Sequence, residues 1–569
     1  MRADELPAIA ASAFLKRLAE RGIEFVFVNA GTDFAPIVEA VAREGKNGGF
    51  PRFITVPHEN LAMAMAHGYY RLSGKPAAVM VHVTVGTANA LCNLMNCARD
   101  NVPVLLTAGR TPNTETGEPA SRNGYIHWGT EAFDQGGIVR EYVKWDYEWR
   151  HGQPAADIVD RALDIAMSEP RGPVYVTLPR EVLAAQTVAK RRHDFRPLGA
   201  APPHPSPQAI ESAARLLAAA EFPLLITATA GRTRESFAAL TAFAGRYAIP
   251  VVQPQTRDIN LPSDHPMSLG QEVHALLPKA DVVLVLDNDV PWLPSQGGPA
   301  RNAKIIHISA DPLASRYPFR EFETDLLITG ETLASLSALD AAMADAMKGK
   351  DATIGKRRVA IADLRAGQEH ARSAALDKAR TASRSSGVWL THCLNQFKAR
   401  DAIIVNELGF NAVDHLDLAE WGSYMTTSLA GGLGFGLGAA LGAKLAAPER
   451  EVIVCCGEGS YMFGNPTPYH FVQASENLPT LTIISNNHAW HAVRVATRSV
   501  YPGGAAVKSN EMPLTSLAPS PAYEKTIAAI GGYGEKVETP DDLPAAIRRG
   551  LEAVRAGTPA VLNVLTEGR

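Results

Sequence analysis

The chain has 569 residues, 46% of them hydrophobic and 20% charged, enough to bury several cores and, at roughly 150 residues apiece, to form about three domains. Its formal net charge of −4 gives no broad attraction to nucleic acid or to an anionic membrane, because counterion release requires clustered Lys and Arg; neither is expected as a partner. Five cysteines, Cys92, Cys97, Cys393, Cys455 and Cys456, form no CxxC pair and no metal-ligand spacing, so reduced, buried thiols in a cytoplasmic protein are expected, without a structural zinc site.

The first stretch, MRADELPAIAASAFLKRLAERG, carries a charge every few residues where a signal peptide needs an unbroken apolar run, and it reads as an amphipathic helix. No segment reaches the ~20 apolar residues of a membrane span. From Gly22 to Gly109, β-rich runs alternate with helical ones: IEFVFVNAG, FAPIVEAVAREG, RFITVP, ENLAMAMAHGYYRLSG, AAVMVHVTVG, TANALCNLMNCARDN and VPVLLTAG. Such alternation predicts parallel strands joined by crossover helices, and strands this continuously apolar are covered on both faces. GPVYVTLPREV closes a first domain over 1–185. The Pro-, Arg- and Lys-rich QTVAKRRHDFRPLGAAPPHPSPQ has neither hydrophobic period and reads as an exposed linker. FPLLITATAG, IPVVQPQ, ADVVLVLDND and AKIIHISADP are the strands of a middle domain over 206–345. The charged, partly helical stretch 343–386 is a second connection. A third domain over 380–569 takes DAIIVNELGF, REVIVCCGEG, LPTLTIISNN and TPAVLNVL as strands. The fold class expected is α/β, three doubly wound parallel-sheet domains.

The chemistry concentrates in Gly457-Glu458-Gly459-Ser460 and in Asn486-Asn487, with Asn487 standing 29 positions after Glu458 (487 − 458). Both motifs end predicted strands, so adjacent parallel strands would bring them together on the side where α/β domains bind ligands. A carboxylate and an amide oxygen are hard ligands suited to Mg²⁺, which is usually held by few protein groups plus a phosphate. Gly459 and Ser460 let backbone N–H groups approach a diphosphate. Taken alone, Gly-Glu-Gly-Ser is equally a plain strand-to-helix turn. In VPHENLAMAMAHGYYRLSG, Glu59 stands where a strand ends and a helix starts, a place the helix dipole by itself favours for a carboxylate.

These motifs resemble the thiamin-diphosphate enzyme family, whose cofactor signature begins Gly-Asp-Gly and ends Asn-Asn. Glu458 replaces the usual Asp and reaches about one methylene further, and His488 follows Asn487 where Gly is frequent. The resemblance implies thiamin diphosphate and Mg²⁺ as cofactors, with Glu458, Asn487 and Ala489 as metal ligands. Gly459, Ser460, Asn486 and Asn487 would then lie at the diphosphate. SYMTTSLAGGLGFGLGAALGAKLAAPEREVIVCCGEGS resembles the family's helix leading into the signature strand, which implies Gly431 near the diphosphate and Leu433 as the wedge that bends the cofactor. Glu59 would hydrogen-bond the aminopyrimidine and favour the imino tautomer that takes the thiazolium C2 proton. The three domains become pyrimidine-binding, middle and diphosphate-binding. In this family the first and third meet across a subunit interface, which implies a homodimer or homotetramer.

Within the family the chain resembles the benzoylformate decarboxylase and acetolactate synthase branch. KPAAVMVHVTVGTANALCNLMNCARDNVPVLLTAGR is similar to the decarboxylase segment carrying an active-site histidine, here His82, and NAGTDFAP to the segment carrying its substrate-binding serine, here Thr32. GTEAFDQGGIVREYVKW resembles acetolactate synthase instead, with Asp134 where Gln is usual. His82 either shuttles protons to substrate or is structural. The decarboxylase's second histidine, from the middle domain, has no clear counterpart. His488 and His491 are candidates for its work, or merely pack a loop. Trp490, with Trp128 and Tyr125, either lines a substrate pocket or belongs to the core. The reaction implied is non-oxidative decarboxylation of a 2-oxo acid. The alternatives are an acetolactate synthase-like carboligase, a lyase acting on a 2-hydroxyacyl-CoA or 1,2-diketone, and a non-enzymatic nucleotide-binding protein.

Overall fold

A computed structural model describes residues 8–44, 49–187, 197–509 and 511–567. Three sheets follow one another along the chain, each entirely parallel. The first holds β1 (Phe25–Val28), β2 (Arg52–Thr55), β3 (Ala77–Val81), β4 (Val104–Arg110), β5 (Asp146–Glu148) and β6 (Val174–Pro179), ordered β2-β1-β3-β4-β6-β5. The second holds β7 (Pro223–Thr227), β8 (Val251–Val252), β9 (Val282–Leu286), β10 (Lys304–Ser309) and β11 (Leu326–Thr329), ordered β11-β10-β9-β7-β8. The third holds β12 (Ile403–Glu407), β13 (Tyr424–Thr426), β14 (Val452–Gly457), β15 (Leu481–Asn486), β16 (Tyr533–Val537) and β17 (Ala560–Leu565), ordered β13-β12-β14-β15-β17-β16. The central strands β3, β4, β12 and β15 are buried along nearly their whole length, as parallel strands covered on both faces must be.

The third sheet repeats the order of the first, strand for strand. In both, the chain places its second strand on one side of the first and then crosses to the other side for its third. This creates a topological switch point between β1 and β3, and again between β12 and β14, and ligands bind at such points beyond the carboxyl ends of the strands.

The chain divides into two compact units. One comprises Met1–Ala201, Thr427–Glu449 and Ser460–Thr480; the other comprises Pro202–Thr426, Arg450–Gly459 and Leu481–Arg569. In the first, helix Glu59–Ser73 lies so close to helix Phe435–Ala446 that a methyl group at Gly68 would stand 2.0 Å from the Ala439 carbonyl oxygen, and one at Gly442 2.0 Å from that of Met65. Only glycine permits that approach. In the second, the thirty-residue helix Asp351–Arg380 accounts for most of the stretch expected as a partly helical connection. It is polar nearly all round, but its buried Arg357 donates to the carbonyls of Tyr247, Leu217 and Ala220 at 3.1, 2.7 and 2.6 Å. Those carbonyls end helices Pro207–Ala219 and Arg234–Tyr247, so the guanidinium satisfies groups a helix cannot pair itself.

The run AAVMVHVTVG, expected as one strand, is divided. β3 stops at Val81, His82 is the cap, and helix Val83–Arg99 begins at once. Tertiary context overrides the β-propensity of Val-Thr-Val. The strands β5, β11, β13 and β16 carry exposed or half-buried residues, and β5, β13 and β16 lack a continuous apolar run. The expected N-terminal helix runs over Ala10–Glu20; residues 1–7, and residues 188–196 of the expected linker, lie outside the described residues. Cys97, Cys393, Cys455 and Cys456 are buried and Cys92 is half-buried, none of them in a disulfide. Among the described residues, no helix is long and apolar enough to cross a membrane.

Candidate functional site

The sequence-predicted residues fall into two groups, one in each unit. In the first unit, Thr32 is exposed at the start of the short turn Thr32–Phe34 that follows β1, and His82 follows β3. Both therefore flank the switch point of the first sheet. His82 Nδ1 lies 2.5 Å from Oδ1 of the buried Asp33, and a methyl group at Gly31 would stand 2.1 Å from that same nitrogen. Val83, next in the chain, is held at φ +30°, a region that β-branched side chains avoid at a cost of about 1–3 kcal/mol. The hydrogen bond to Asp33 raises the His82 pKa above the ordinary imidazole range against the opposing effect of burial, and the charges of Asp33 and Glu59 add to the rise.

Glu59 opens helix Glu59–Ser73 and is 8% exposed. Its Oε2 accepts from Asn89 Nδ2 at 2.5 Å. A methyl group at Gly86 would stand 3.2 Å from its Oε1, a tight contact that glycine avoids where the helix carrying Asn89 passes Glu59. Buried asparagines then fasten the loop that carries Leu433. Asn96 donates to the Gly432 carbonyl at 2.8 Å and accepts from its N–H at 3.1 Å. Asn60 and Asn93 donate to the carbonyls of Leu433 and Gly434, each at 3.4 Å. Gly431 takes a positive φ of 69° at the exposed edge of this loop, and Leu433 is half-buried. Ser460, also of this unit, is buried in helix Glu458–Phe463.

In the second unit, β14 and β15 run side by side with Gly457 paired to Ser485, which brings Glu458 level with Asn486. Glu458 is 1% exposed, and burial pushes its carboxyl pKa above the ordinary range. Its Oε1 accepts from the Ala489 N–H at 2.8 Å, and Asn487 Oδ1 accepts from that same N–H at 3.0 Å. Two hard oxygens thus converge on one point beside Ala489, so the expected Glu458, Asn487 and Ala489 are neighbours. Asn486 faces elsewhere, donating to Asn563 Oδ1 at 3.1 Å and accepting from the His488 N–H at 3.2 Å. His488 sits at φ +59°, the left-handed conformation that suits glycine, and its ring meets Ser520 Oγ at 2.7 Å.

Trp490 lies directly on Gly459, where a methyl group would stand 2.1 Å from its Cζ3. The face of Gly459 expected to be open to a diphosphate is therefore covered by that indole. His491 begins helix His491–Val500 and is half-buried. Tyr125 and Trp128 are not core residues; they are 100% and 51% exposed. Sequence reasoning missed Asp33, Asn89, Asn93 and Asn96. The one signal available for them was the recurrence of asparagine at 89, 93 and 96, spaced along one face of the helix that starts after His82.

Three family models match the chain: the N-terminal TPP binding domain of thiamine pyrophosphate enzymes over residues 9–138, their central domain over 210–339, and their C-terminal TPP binding domain over 407–564. The chain is 25% identical over 563 residues to a probable acetolactate synthase of Mycobacterium bovis, covering 97% of this chain and 94% of that protein. It is also 25% identical over 498 residues to a benzoylformate decarboxylase of Pseudomonas aeruginosa, covering 85% and 87%. Among solved structures, a thiamine diphosphate-dependent 4-hydroxybenzoylformate decarboxylase of Rhodococcus jostii superposes with a TM-score of 0.76 at 23% identity over 99% of this chain and 100% of that one. That last likeness speaks for the fold alone.

Proposed function

We propose that this chain, which belongs to the thiamine pyrophosphate enzyme family, decarboxylates a 2-oxo acid without oxidising it, releasing carbon dioxide and an aldehyde. The observation that carries the reading is His82. It stands at the switch point of the first sheet with Nδ1 on Asp33, and its ring is 19% exposed. The charge of Glu59 also reaches it. A proton donor so placed favours protonation, and hence an aldehyde, over addition to a second carbonyl.

Thiamin diphosphate, when bound, supplies a thiazolium that accepts the electron pair left as the carboxylate departs. The chain's residues have separate tasks around it. Glu59, held by Asn89, would hydrogen-bond the pyrimidine ring, and Leu433 with Gly431 would lie against the cofactor. Glu458, Asn487 and the Ala489 backbone would hold Mg²⁺, and the convergence of the first two oxygens beside Ala489 fits that ion's preference for hard ligands. Gly459, Ser460 and Asn486 would border the diphosphate, which requires the Trp490 indole to leave Gly459. Thr32 would contact the substrate, and His82 would transfer the proton. His488 and His491 are secondary candidates for substrate contact, as is Trp490 once displaced.

The three domains of the reading, over 1–185, 206–345 and 380–569, each contain one of the three sheets. Self-association to a homodimer or homotetramer belongs to the same proposal. It is supported by Tyr125, Trp128 and Phe133, large apolar side chains that each stand exposed in one stretch of chain, since exposed apolar side chains are candidates for a surface covered on association. The acetolactate synthase relatives, and the similarity of GTEAFDQGGIVREYVKW, support carboligation as the second reading.

The test is to supply the protein with thiamin diphosphate and Mg²⁺, offer pyruvate, branched and aromatic 2-oxo acids in turn, and measure carbon dioxide, aldehyde and acetolactate. Carbon dioxide with equimolar aldehyde from one class is the expected result. Acetolactate from pyruvate as the main product would replace the decarboxylase reading with the carboligase.

A further inference from the structure

We propose that Asp33 is the positioning residue of the proton-transferring histidine: its carboxylate, bound to Nδ1 of His82, leaves Nε2 as the nitrogen that takes up and gives up the proton. This rests on the reading of His82 given above. Asp33 is 4% exposed, and its Oδ1 stands 2.5 Å from His82 Nδ1. Its other oxygen, Oδ2, is buried without a hydrogen-bond partner, close against Gly109, where a methyl group would come within 1.6 Å. The imidazole is therefore the polar group that compensates this carboxylate, and a buried carboxylate left uncompensated is costly. Nδ1 must carry a hydrogen to serve it. Nε2 is then the acceptor of the neutral ring and a donor of the charged one, and it has no hydrogen-bond partner among the described residues.

The ring is clamped as well as hydrogen-bonded. Gly31 packs on it on one side, and the strained Val83 fixes the backbone behind it. The titratable and charged groups whose fields reach the pair are Glu59, His127 and Arg180. Arg180 is committed to the carbonyls of Ala120 and Ser121 and to Asn123 Oδ1. His127 accepts from the Asn123 N–H. Neither replaces Asp33 as the partner of His82. Converting R–CO–COO⁻ to R–CHO and carbon dioxide takes up one proton per turnover, which Nε2 delivers and water restores.

The experiment uses full-length protein with ¹³Cε1-labelled histidine, His82→Gln to assign the signal, and Asp33→Asn to remove the charge while keeping the shape. The expected result is a His82 titration midpoint at least about one pH unit lower in Asp33→Asn, and unchanged in Asp33→Glu. In turnover, kcat of Asp33→Asn falls tenfold or more with KM little changed, and the alkaline limb of its pH profile moves to lower pH by the same interval as the midpoint. An unmoved midpoint, or an unmoved alkaline limb, overturns the proposal. Should Asp33→Asn fail to fold, Asp33→Ser carries the neutral arm. If no 2-oxo acid is turned over by the unaltered protein, the decarboxylase reading fails while the titration still decides the role of Asp33.

Discussion

At the scale of single residues, the carboxylates separate into distinct environments. Glu59 shares a hydrogen bond with Asn89 at a helix start, whereas Glu458 is buried against a backbone turn. Glu59→Gln keeps the shape and the hydrogen-bonding capacity but not the charge. We expect its kcat to fall by about 10²–10⁴-fold, the usual contribution of a positioned acid–base group, with its circular dichroism and melting temperature little changed. Steady-state kinetics beside a thermal melt check both halves of that statement. His82, Glu458 and Asn487 stood out as candidates in the sequence because each directly follows a strongly apolar strand, and Glu59 because it opens a helix shortly after β2. Asp33 was not legible, because its meaning comes from a contact with a residue 49 positions away. The occupation of Gly459 by Trp490 was hidden for the same reason: a side chain's reach depends on the turn between them, here one passing through a left-handed His488.

At the scale of elements, the loop 432–434 is positioned by helix Val83–Arg99 through Asn93 and Asn96, both wholly buried. Asn96→Leu preserves volume but orphans the Gly432 N–H and carbonyl together. Each buried group left without a partner costs about 1–3 kcal/mol, so a lower melting temperature is expected, with weaker thiamin diphosphate binding by titration as the loop loosens. Unchanged binding would separate the loop from the cofactor. The core strands of all three sheets could be read from composition alone, since continuous burial requires continuous apolar sequence. The edge strand β16 could not, because alternate residues face solvent and YGEKV resembles a loop. The strand-to-helix break at His82 was also hidden, since Val-Thr-Val favours a strand until packing decides otherwise.

At the scale of the whole molecule, the first and third sheets share one strand order and each has a switch point with chemistry beside it. Both units also bury neutral histidines. Burial lowers the His307 pKa to about 3 and the His470 pKa to about 4. A folded-state pKa below the ordinary value means the unfolded chain binds the proton more readily. The stability these residues contribute is therefore complete above about pH 6.5 and is lost as pH falls through the folded values. Every tenfold difference in proton affinity between the folded and unfolded chain is worth about 1.4 kcal/mol, so the melting temperature should drop steeply between about pH 6.5 and 4. The paired substitution His307→Gln and His470→Gln should flatten that slope, and an equally steep fall in the paired variant would assign it elsewhere.

The account depends most on a cofactor gripped through Glu458 and Asn487, and calorimetric titration with thiamin diphosphate addresses this directly. Saturable binding is predicted for the unaltered protein in Mg²⁺, with its loss both in a chelator and in Glu458→Ala. Equal affinity in all three samples, or no binding in the first, would contradict it.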